Sequence, residues 1–260
     1  MKVADILTLI DDWAPFETAD DWDNVGLLTG DPSAEVTGIM VSLDATLDVI
    51  ADAVSKKANL IITHHPVIFD PMTEVTQQTS QGKAVSALIK NEISVISAHT
   101  NLDSAEGGVT CTLAEKIKLI NIKKVEECEF MRIGNLETPM DVRQFAQYIS
   151  KTLPSKQIET AGRPPGKINN VCIMAGSGGG YMKEAAAVGA DIFLTGSIKH
   201  ENAVEACNLG IFVMSAGHYE TETPVLPKIK AYLQKHVNDV QSINGINITL
   251  SGDNPFDIMV

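Results

Sequence analysis

The chain has 260 residues, of which 44% are hydrophobic, and its 20 Lys and Arg against 33 Asp and Glu give a net charge of −13. This apolar content excludes a disordered chain, and the length suggests one or two domains with a substantial core. Because phosphate backbones and anionic lipid attract clusters of Lys and Arg, an acidic chain is not expected to have a nucleic-acid partner.

The first residues, MKVADILTLIDDWAPF, lack the uninterrupted apolar region of a signal peptide. No stretch approaches the ~18 apolar residues that a membrane span needs. The four cysteines lie far apart without a CxxC pair, which argues against a disulfide framework and against a thiolate zinc site. We therefore expect a cytoplasmic protein with reduced thiols and no membrane partner.

The first half of the chain alternates short apolar runs with amphipathic stretches. Helical spacing of the apolar residues predicts helices at 3–13, 46–58, 82–92 and 111–119. Runs rich in Val, Ile and Leu predict strands at 38–44, 60–65 and 93–99. Strands and helices in alternation are typical of a mostly parallel sheet that is covered on both faces.

The second half continues the same alternation. Its predicted helices span 140–153, 181–190, 200–210 and 223–237, and Thr223 is a candidate N-cap for the last of them. Its predicted strands span 168–176, 191–196 and 211–218, with a loop at 161–167 and a closing strand within 245–256. The expected fold class is therefore α/β with mostly parallel, mixed sheets.

The two halves resemble each other. Asp44 precedes Thr63 by 19 residues, as Gly176 precedes Thr195, and VISAH (95–99) is echoed by VMSAGH (213–218). Chance similarity is the alternative in a periodic α/β chain. An internal duplication would give two similar units, which we place at 1–125 and 126–260, with strand ends that meet at a shared cleft.

Histidines stand at the ends of three predicted strands, LIITHH, ISVISAH and IFVMSAGH, and carboxylates follow closely. Parallel strands end at one edge of a sheet, so the fold would gather His64, His65, His99, Asp103, His218, Glu222 and Asp44. Imidazole and carboxylate ligands without thiolate suit Zn, Fe, Mn or Co. The alternative, that these histidines merely hydrogen-bond loop backbone, explains one histidine more readily than a His–His pair with two His-x₃-carboxylate pairs.

The spacing also suggests how two ions are shared. Neighbouring residues of an extended chain point to opposite sides, so His64 and His65 would serve different ions if the chain turns at Pro66. His218 and Glu222 meet on one side if the backbone makes a helical turn there. A carboxylate so placed can bridge two ions ~3.5–4 Å apart, as in two-metal hydrolases.

The run AGSGGGY (175–181) lies between a predicted strand and a predicted helix. It could hold phosphate, or its glycines could let the strand and the helix pack closely. It is not the dinucleotide fingerprint, because Tyr181 stands where the third glycine belongs. His200, at the start of a predicted helix, is a weaker candidate for the site.

Several motifs together resemble a known family. These are WDNVGLL (22–28), LDAT (43–46), HHP (64–66), HTNLD with GGV (99–109), TG (195–196) and GHYxTE (217–222). In this order they resemble the Nif-three-like family, whose members are named GTP cyclohydrolase 1 type 2 homologues. The resemblance covers nearly the whole chain and implies two intertwined α/β units, a dinuclear metal centre in the cleft between them and a toroidal homohexamer.

The resemblance also implies a role for each matching residue. It makes Glu222 the bridging ligand and gives the full ligand set of two divalent ions as His64, His65, Asp103, His218 and Glu222. It places Asp44 and His99 beside the ions, where they would orient ligands, contact substrate or assist proton transfer. The chain matches the short form of the family, without a middle insert domain, and departs from it in carrying Glu201 and Glu220.

The residues and the resemblance together indicate a metal-dependent hydrolase that acts on a small nucleotide-like or phosphoester substrate. One alternative is a non-catalytic metal-binding ring protein, such as a metallochaperone or a regulatory scaffold. Another is a nucleotide-sensing module that uses the Gly178–Gly180 loop. The departures at Glu201 and Glu220 leave the substrate open.

Overall fold

A computed structural model describes residues 1–153, 155–239 and 246–256. The chain forms two units, and neither is continuous in sequence. The first contains Met1–Glu106 and Leu226–Asp253, and the second contains Gly107–Val225 together with the segment from Asn254. The chain thus leaves the first unit, builds the second, returns to the first and enters the second again at Asn254.

The first unit contains five helices and five strands among its described residues. In chain order they are α1 (Val3–Trp13), β1 (Gly26–Thr29), β2 (Gly38–Ser42), α2 (Leu47–Ser55), β3 (Leu60–Thr63), α3 (Ser80–Lys90), β4 (Ser94–Ser97), α4 (Thr100–Ser104), α10 (Val225–Asp239) and β11 (Asn247–Leu250). Thr46 and Thr79 cap α2 and α3, because their hydroxyls accept hydrogen bonds from backbone N–H groups of the first turn.

The sheet of the first unit has the strand order β1–β4–β3–β2–β11. Every residue of β2, β3 and β4 is buried, as expected for central strands with both faces covered. On one face Met40, Ile61 and Val95 pack with apolar residues of α2 and α3. Each such side chain contributes about 1.5–3 kcal/mol through its burial.

The register of this sheet brings the strand ends together. β2, β3 and β4 run parallel, and Ser42, Thr63 and Ser97 lie side by side at their carboxyl ends. β11 adds a further parallel strand beside β2, whereas β1 pairs antiparallel with β4. The residues that follow Ser42, Thr63 and Ser97 therefore emerge at one edge of the sheet.

The second unit contains five helices and strands before its parallel centre and six within and after it. In chain order they are α5 (Val109–Lys116), β5 (Ile120–Val125), β6 (Cys128–Met140), α6 (Val142–Thr152), β7 (Glu159–Ala161), β8 (Ile168–Met174), α7 (Met182–Ala187), β9 (Ile192–Thr195), α8 (His200–Leu209), β10 (Val213–Ser215) and α9 (His218–Glu222). A single 3₁₀ turn over Gly178–Tyr181 precedes α7.

The sheet of the second unit has the order β5–β6–β8–β9–β10–β7. Its centre, β8–β9–β10, is parallel, with Met174, Thr195 and Ser215 side by side at the carboxyl ends. The outer strands pair antiparallel. Both units therefore contain three parallel strands joined through helices and an antiparallel edge strand, which supports the predicted duplication and confirms the α/β class with mixed sheets.

Some elements differ from the sequence prediction. β1, β5, β6 and β7 were not predicted, and the predicted helix at 223–237 is α10, which begins two residues later. The Thr223 hydroxyl donates a hydrogen bond to the Tyr219 carbonyl 2.9 Å away, so Thr223 closes α9. The predicted strand within 245–256 is β11, and residue 245 lies outside the described residues. In the described part of the chain, no helix has both the length and the apolar character that a bilayer crossing requires.

Candidate metal centre

Three histidines of the first unit lie together at the carboxyl edge of its sheet. His64 and His65 directly follow β3, and His99 follows β4 and precedes α4. One ring nitrogen from each of the three lies within 4.8 Å of the others. His64 is fully buried, whereas His65 and His99 are partly exposed. The first unit alone thus offers three converging imidazole ligands.

The Nδ1 atoms of the three histidines all face hydrogen-bond acceptors. His64 Nδ1 donates to the Ala98 carbonyl at 2.9 Å. His65 Nδ1 donates to Asp44 Oδ1 at 3.0 Å, and His99 Nδ1 donates to Asp23 Oδ1 at 2.9 Å. A carbonyl oxygen and ionised carboxylates can only accept such bonds, so Nδ1 is the donor, and in a neutral ring Nε2 then holds the lone pair that a metal ion needs. Metal-ligating histidines in proteins are oriented in this way.

Asp23 is a candidate site residue that the sequence analysis did not single out. Its second oxygen accepts hydrogen bonds from the Thr100 backbone N–H at 3.0 Å and from the Thr100 hydroxyl at 2.6 Å. Burial alone would raise the pKa of Asp23, but the hydrogen bonds from His99 and Thr100 outweigh it and hold this pKa well below its ordinary value. Asp23 is therefore an anion that fixes the orientation of His99.

Two predicted acids accompany the histidines. Asp103 lies in α4, and its Oδ1 is 3.7 Å from His64 Nε2. Asp44 follows β2, and about half of its side chain stays exposed while one oxygen holds His65. Asp44 thus makes the contact expected of a residue that orients a ligand. His99, predicted beside the ions, lies within the same group as His64 and His65.

The backbone at His64 and His65 differs from the expectation. The strand ends at Thr63, so the alternation of an extended chain no longer applies to the two histidines. Their ring centroids are 5.0 Å apart, and each lies within 5.6 Å of the His99 ring. The chain therefore bends at His64 and His65 themselves, and both rings lie close to the His99 ring.

In the second unit, His218 and Glu222 form the predicted pair. They begin and end α9, and His218 Nε2 lies 3.0 Å from Glu222 Oε1. Glu222 is almost fully buried. Between them, the Thr221 hydroxyl accepts a hydrogen bond from the Gly176 N–H at 3.1 Å, which ties α9 to the end of β8.

Two glycines of the second unit leave the space that His218 and Glu222 occupy. A Cβ atom on Gly176, which has a φ of +63°, would overlap the Glu222 carboxylate. A Cβ atom on Gly196 would lie 2.5 Å from the Gly176 carbonyl oxygen and 2.9 Å from the His218 Cα. Both positions therefore exclude a side chain, a role that the sequence analysis did not assign.

The glycine run before α7 is used for packing. The Gly178 N–H donates to the Thr195 hydroxyl at 3.0 Å, and a Cβ atom there would lie 2.5 Å from the same oxygen. A Cβ atom on Gly179 would overlap the Asn202 side chain. Of the remaining candidates, His200 and Glu201 are exposed at the start of α8.

Exposed aromatic rings flank the histidines of the first unit. Trp22 and Phe69 are 58% and 43% exposed, and their ring centroids lie 6.1 Å and 6.2 Å from that of His99. The amide of Asn24, near Trp22, donates a hydrogen bond to the Ile68 carbonyl and so ties together the two loops that carry these rings. The candidate metal ligands therefore have flat apolar surfaces beside them.

The donor atoms fit a transition-metal site. Imidazole nitrogens and carboxylate oxygens occur together, and none of the described cysteines belongs to a group of candidate ligands. Such donors suit Zn, Fe, Mn or Co. The arrangement can thus hold a divalent cation and present it to a polar ligand.

Comparison with known proteins gives consistent matches over the whole chain. A model of the DUF34/NIF3 family (NGG1p interacting factor 3) matches residues 1–254. Two proteins named GTP cyclohydrolase 1 type 2 homolog are similar: that of Clostridium acetobutylicum is 35% identical over 86% of each chain, and that of Clostridium perfringens is 33% identical over all of both. The crystal structure of the Staphylococcus aureus hypothetical protein SA1388 matches with a TM-score of 0.90 at 32% identity, over 100% of this chain and 99% of that one.

Proposed function

The chain belongs to the DUF34/NIF3 family, and on that basis we propose that it is a dinuclear metal-binding protein and a metal-dependent hydrolase. Its proposed substrate is a small nucleotide-like or phosphoester molecule, a class consistent with the name of its relatives, GTP cyclohydrolase 1 type 2 homolog. The observation that carries the proposal is the orientation of His64, His65 and His99, each held through Nδ1.

The proposed ligands are the five residues expected from the sequence: His64, His65, Asp103, His218 and Glu222. As the family resemblance implies, these residues would hold the two proposed divalent ions, and Glu222 would be the carboxylate that the ions share. The buried contact between His218 and Glu222 supports this role, because a carboxylate without a cation is costly to bury. His99 is a further ligand or a substrate contact.

When bound, two divalent ions supply Lewis acidity and lower the pKa of water at the site. The residues of the chain supply orientation and proton transfer. Asp44 holds His65 with one oxygen, and its exposed half leaves the carboxylate able to accept a proton from a substrate or from water. Asp23 fixes His99, and the rings of Trp22 and Phe69 lie beside it.

We further propose a cytoplasmic protein that assembles as a toroidal homohexamer, the state implied by the family resemblance. Light scattering of the purified protein measures this state directly. A mass close to six chains supports the ring, and a monomer or dimer at all concentrations contradicts it.

The function is tested by metal analysis and turnover on the same protein. Purified protein is loaded separately with Zn, Mn, Fe or Co, the bound metal is counted by mass spectrometry, and a panel of nucleotides and phosphoesters is assayed. We expect two ions per chain and turnover of at least one substrate. The double variant His64→Ala/Glu222→Gln should lose both, while His200→Ala, which removes an exposed histidine, should lose neither.

The possible outcomes separate the alternatives. Two ions per chain without turnover of any substrate would indicate a non-catalytic metal-binding ring protein. Turnover that survives in the double variant would contradict a reaction at this site. Binding of nucleotides that is unchanged by a chelator would favour a nucleotide-sensing module.

A further inference from the structure

The second unit contains a cavity of about 370 Å³ beside His218. It lies at the carboxyl ends of β9 and β10 and is closed on one side by the segment that contains Asn254 and Phe256. Its volume is at the small end of the range for ligand pockets and suits a single ring with short substituents. No Lys or Arg is among the described residues that line it.

Two carboxylates line the cavity, and a side-chain amide orients each of them. Gln157 Nε2 donates a hydrogen bond to Glu159 Oε1 at 3.0 Å. Asn254 Nδ2 donates to Glu220 Oε1 at 2.8 Å. Each carboxylate accepts one such bond and retains lone pairs for a further donor. The walls of the cavity are therefore rich in fixed hydrogen-bond acceptors.

The backbone around Glu220 explains its position. Residues two apart on a helix do not face each other, so Glu220 points away from the side of α9 that His218 and Glu222 share. Its carboxylate folds against Gly217, which has a φ of +98° and where a Cβ atom would overlap it. Glu220 is thus directed into the cavity and not toward the candidate metal ligands.

Phe256 gives the cavity an apolar rim. The side-chain oxygen of Asn254 accepts a hydrogen bond from the Phe256 backbone N–H at 2.9 Å, which fixes the turn before the ring. The Phe256 side chain is 69% exposed, although burial of an aromatic ring normally stabilises a fold. Its exposed face beside two carboxylates is suited to a flat ring that also carries N–H groups.

We propose that this cavity is a subsite for a flat group with paired N–H donors, such as an amidine, a guanidinium or an aminated heterocycle. The carboxylates of Glu159 and Glu220 would accept charge-assisted hydrogen bonds from the donors, and Phe256 would stack on the ring. Two carboxylates disfavour an anionic group here. The assignment of this group to the substrate rests on the proposed function, whereas its binding does not require turnover.

Benzamidine and benzamide test the subsite, because they have nearly the same shape and differ in the charge and the N–H donors of the terminal group. Their dissociation constants are measured by ligand-observed NMR titration of the full chain, both metal-loaded and after chelation. We expect benzamidine to bind at least about tenfold more tightly than benzamide, with or without metal, since hydrogen bonds from a charged donor are stronger than those from a neutral amide.

Three variants identify the contacts. Glu220→Gln keeps the shape of the side chain and should remove the preference for benzamidine. Phe256→Ala should weaken both probes alike. Glu137→Gln changes an exposed carboxylate of β6 away from the cavity and should leave both constants unchanged.

The results also separate this inference from the proposed function. Equal binding of the two probes, no saturable binding of benzamidine, or an unchanged preference in Glu220→Gln would overturn the subsite even if the enzyme turns over a substrate. If the preference for benzamidine depends on Glu220 but the protein turns over no substrate, the subsite would be established and the hydrolase proposal alone would fail.

Discussion

The two units use the same arrangement of parallel strands but place different chemistry at its edge. In the first unit the middle strand ends at Thr63 and is followed by His64 and His65. In the second unit the corresponding strand ends at Thr195 and is followed by Gly196 and Ser197. The same contrast appears after the next strand of each unit. His99 lies two residues after the end of β4, and Gly217 lies two residues after the end of β10.

The contrast shows that the residue after the middle strand determines whether the sheet edge carries a side chain or closely packed backbone. His64 and His65 after β3 place their rings at this edge, although their backbone N–H groups still donate to the Ser42 and Leu43 carbonyls. Gly196 after β9 instead lets the chain approach the Gly176 carbonyl and α9, with no room for a side chain. The second unit carries its candidate metal ligands on a short helix, α9, packed over those glycines.

Removal of metal should have the largest effect. Since binding to the folded state alone stabilises it, metal at 100–1,000 times its dissociation constant adds about 2.7–4.1 kcal/mol per site. We expect a chelator to lower the melting temperature by about 5–15 °C for each ion removed, measured by scanning calorimetry. The variant His64→Ala/Glu222→Gln is the control and should melt at the same temperature with and without chelator. An unchanged melting temperature of the wild-type protein would contradict the proposed metal binding.

The second prediction concerns the close-packed edge of the second unit. Gly196→Ala forces a methyl group against α9 and should lower the free energy of unfolding by about 1–3 kcal/mol, measured by urea denaturation. Gly180→Ala is the matched control, because nothing lies within 4 Å of the added Cβ atom. Equal stability of the two variants would mean that the glycine edge is not as tightly packed as the distances indicate.

The third prediction concerns the histidine edge of the first unit. Asp23→Asn keeps the shape of the side chain but removes the anion that holds His99 and Thr100. Residues that orient metal ligands typically change metal affinity by about 10–100-fold. We therefore expect Asp23→Asn to weaken metal binding by that factor, measured in a competition titration with a coloured chelator. Asp21→Asn, at an exposed position two residues earlier, should bind metal like the wild type. A normal affinity of Asp23→Asn would remove Asp23 from the site.

The smallest effect is a difference in thiol reactivity. All four cysteines belong to the second unit, and only Cys207 among them is exposed. Burial raises the pKa of Cys172 to about 12, so its thiol stays protonated at pH 8, where the thiolate is the reactive form. Mass spectrometry after alkylation at pH 8 should find one label per native chain. Gly196→Ala should speed labelling of the buried thiols, whereas Asp23→Asn, in the first unit, should not.

The predictable parts of the fold are those with a strong burial pattern. The continuous apolar runs of β2, β3, β8 and β9 were identified because both faces of each strand are covered. β5 was missed because nearly all its residues are exposed at a sheet edge, and so it lacks an apolar pattern. The helical turn of α9 was anticipated only through the spacing of His218 and Glu222.

In the site, too, residues with a visible chemical pattern were predicted, whereas residues whose role depends on tertiary packing were not. Histidines at strand ends are a visible signal, and the structure brings His64, His65 and His99 together. Asp23 gave no such signal, because it lies in a loop 76 residues before His99 and its partner is decided by tertiary structure. Gly196 was missed for another reason. The sequence alone does not distinguish a glycine that forms a turn after a strand from one that lets a helix pack closely against the backbone.

The pairing of β11 with β2 has a consequence for synthesis on the ribosome. β2 is complete by residue 42, but the strand that covers its outer edge begins at residue 247. While the intervening chain is synthesised, the apolar strand β2 has no β11 partner, and the backbone N–H and C=O groups along its outer edge are not paired with another strand. Such an edge is a template for pairing with other chains, so productive folding of this protein depends on shielding β2 during translation.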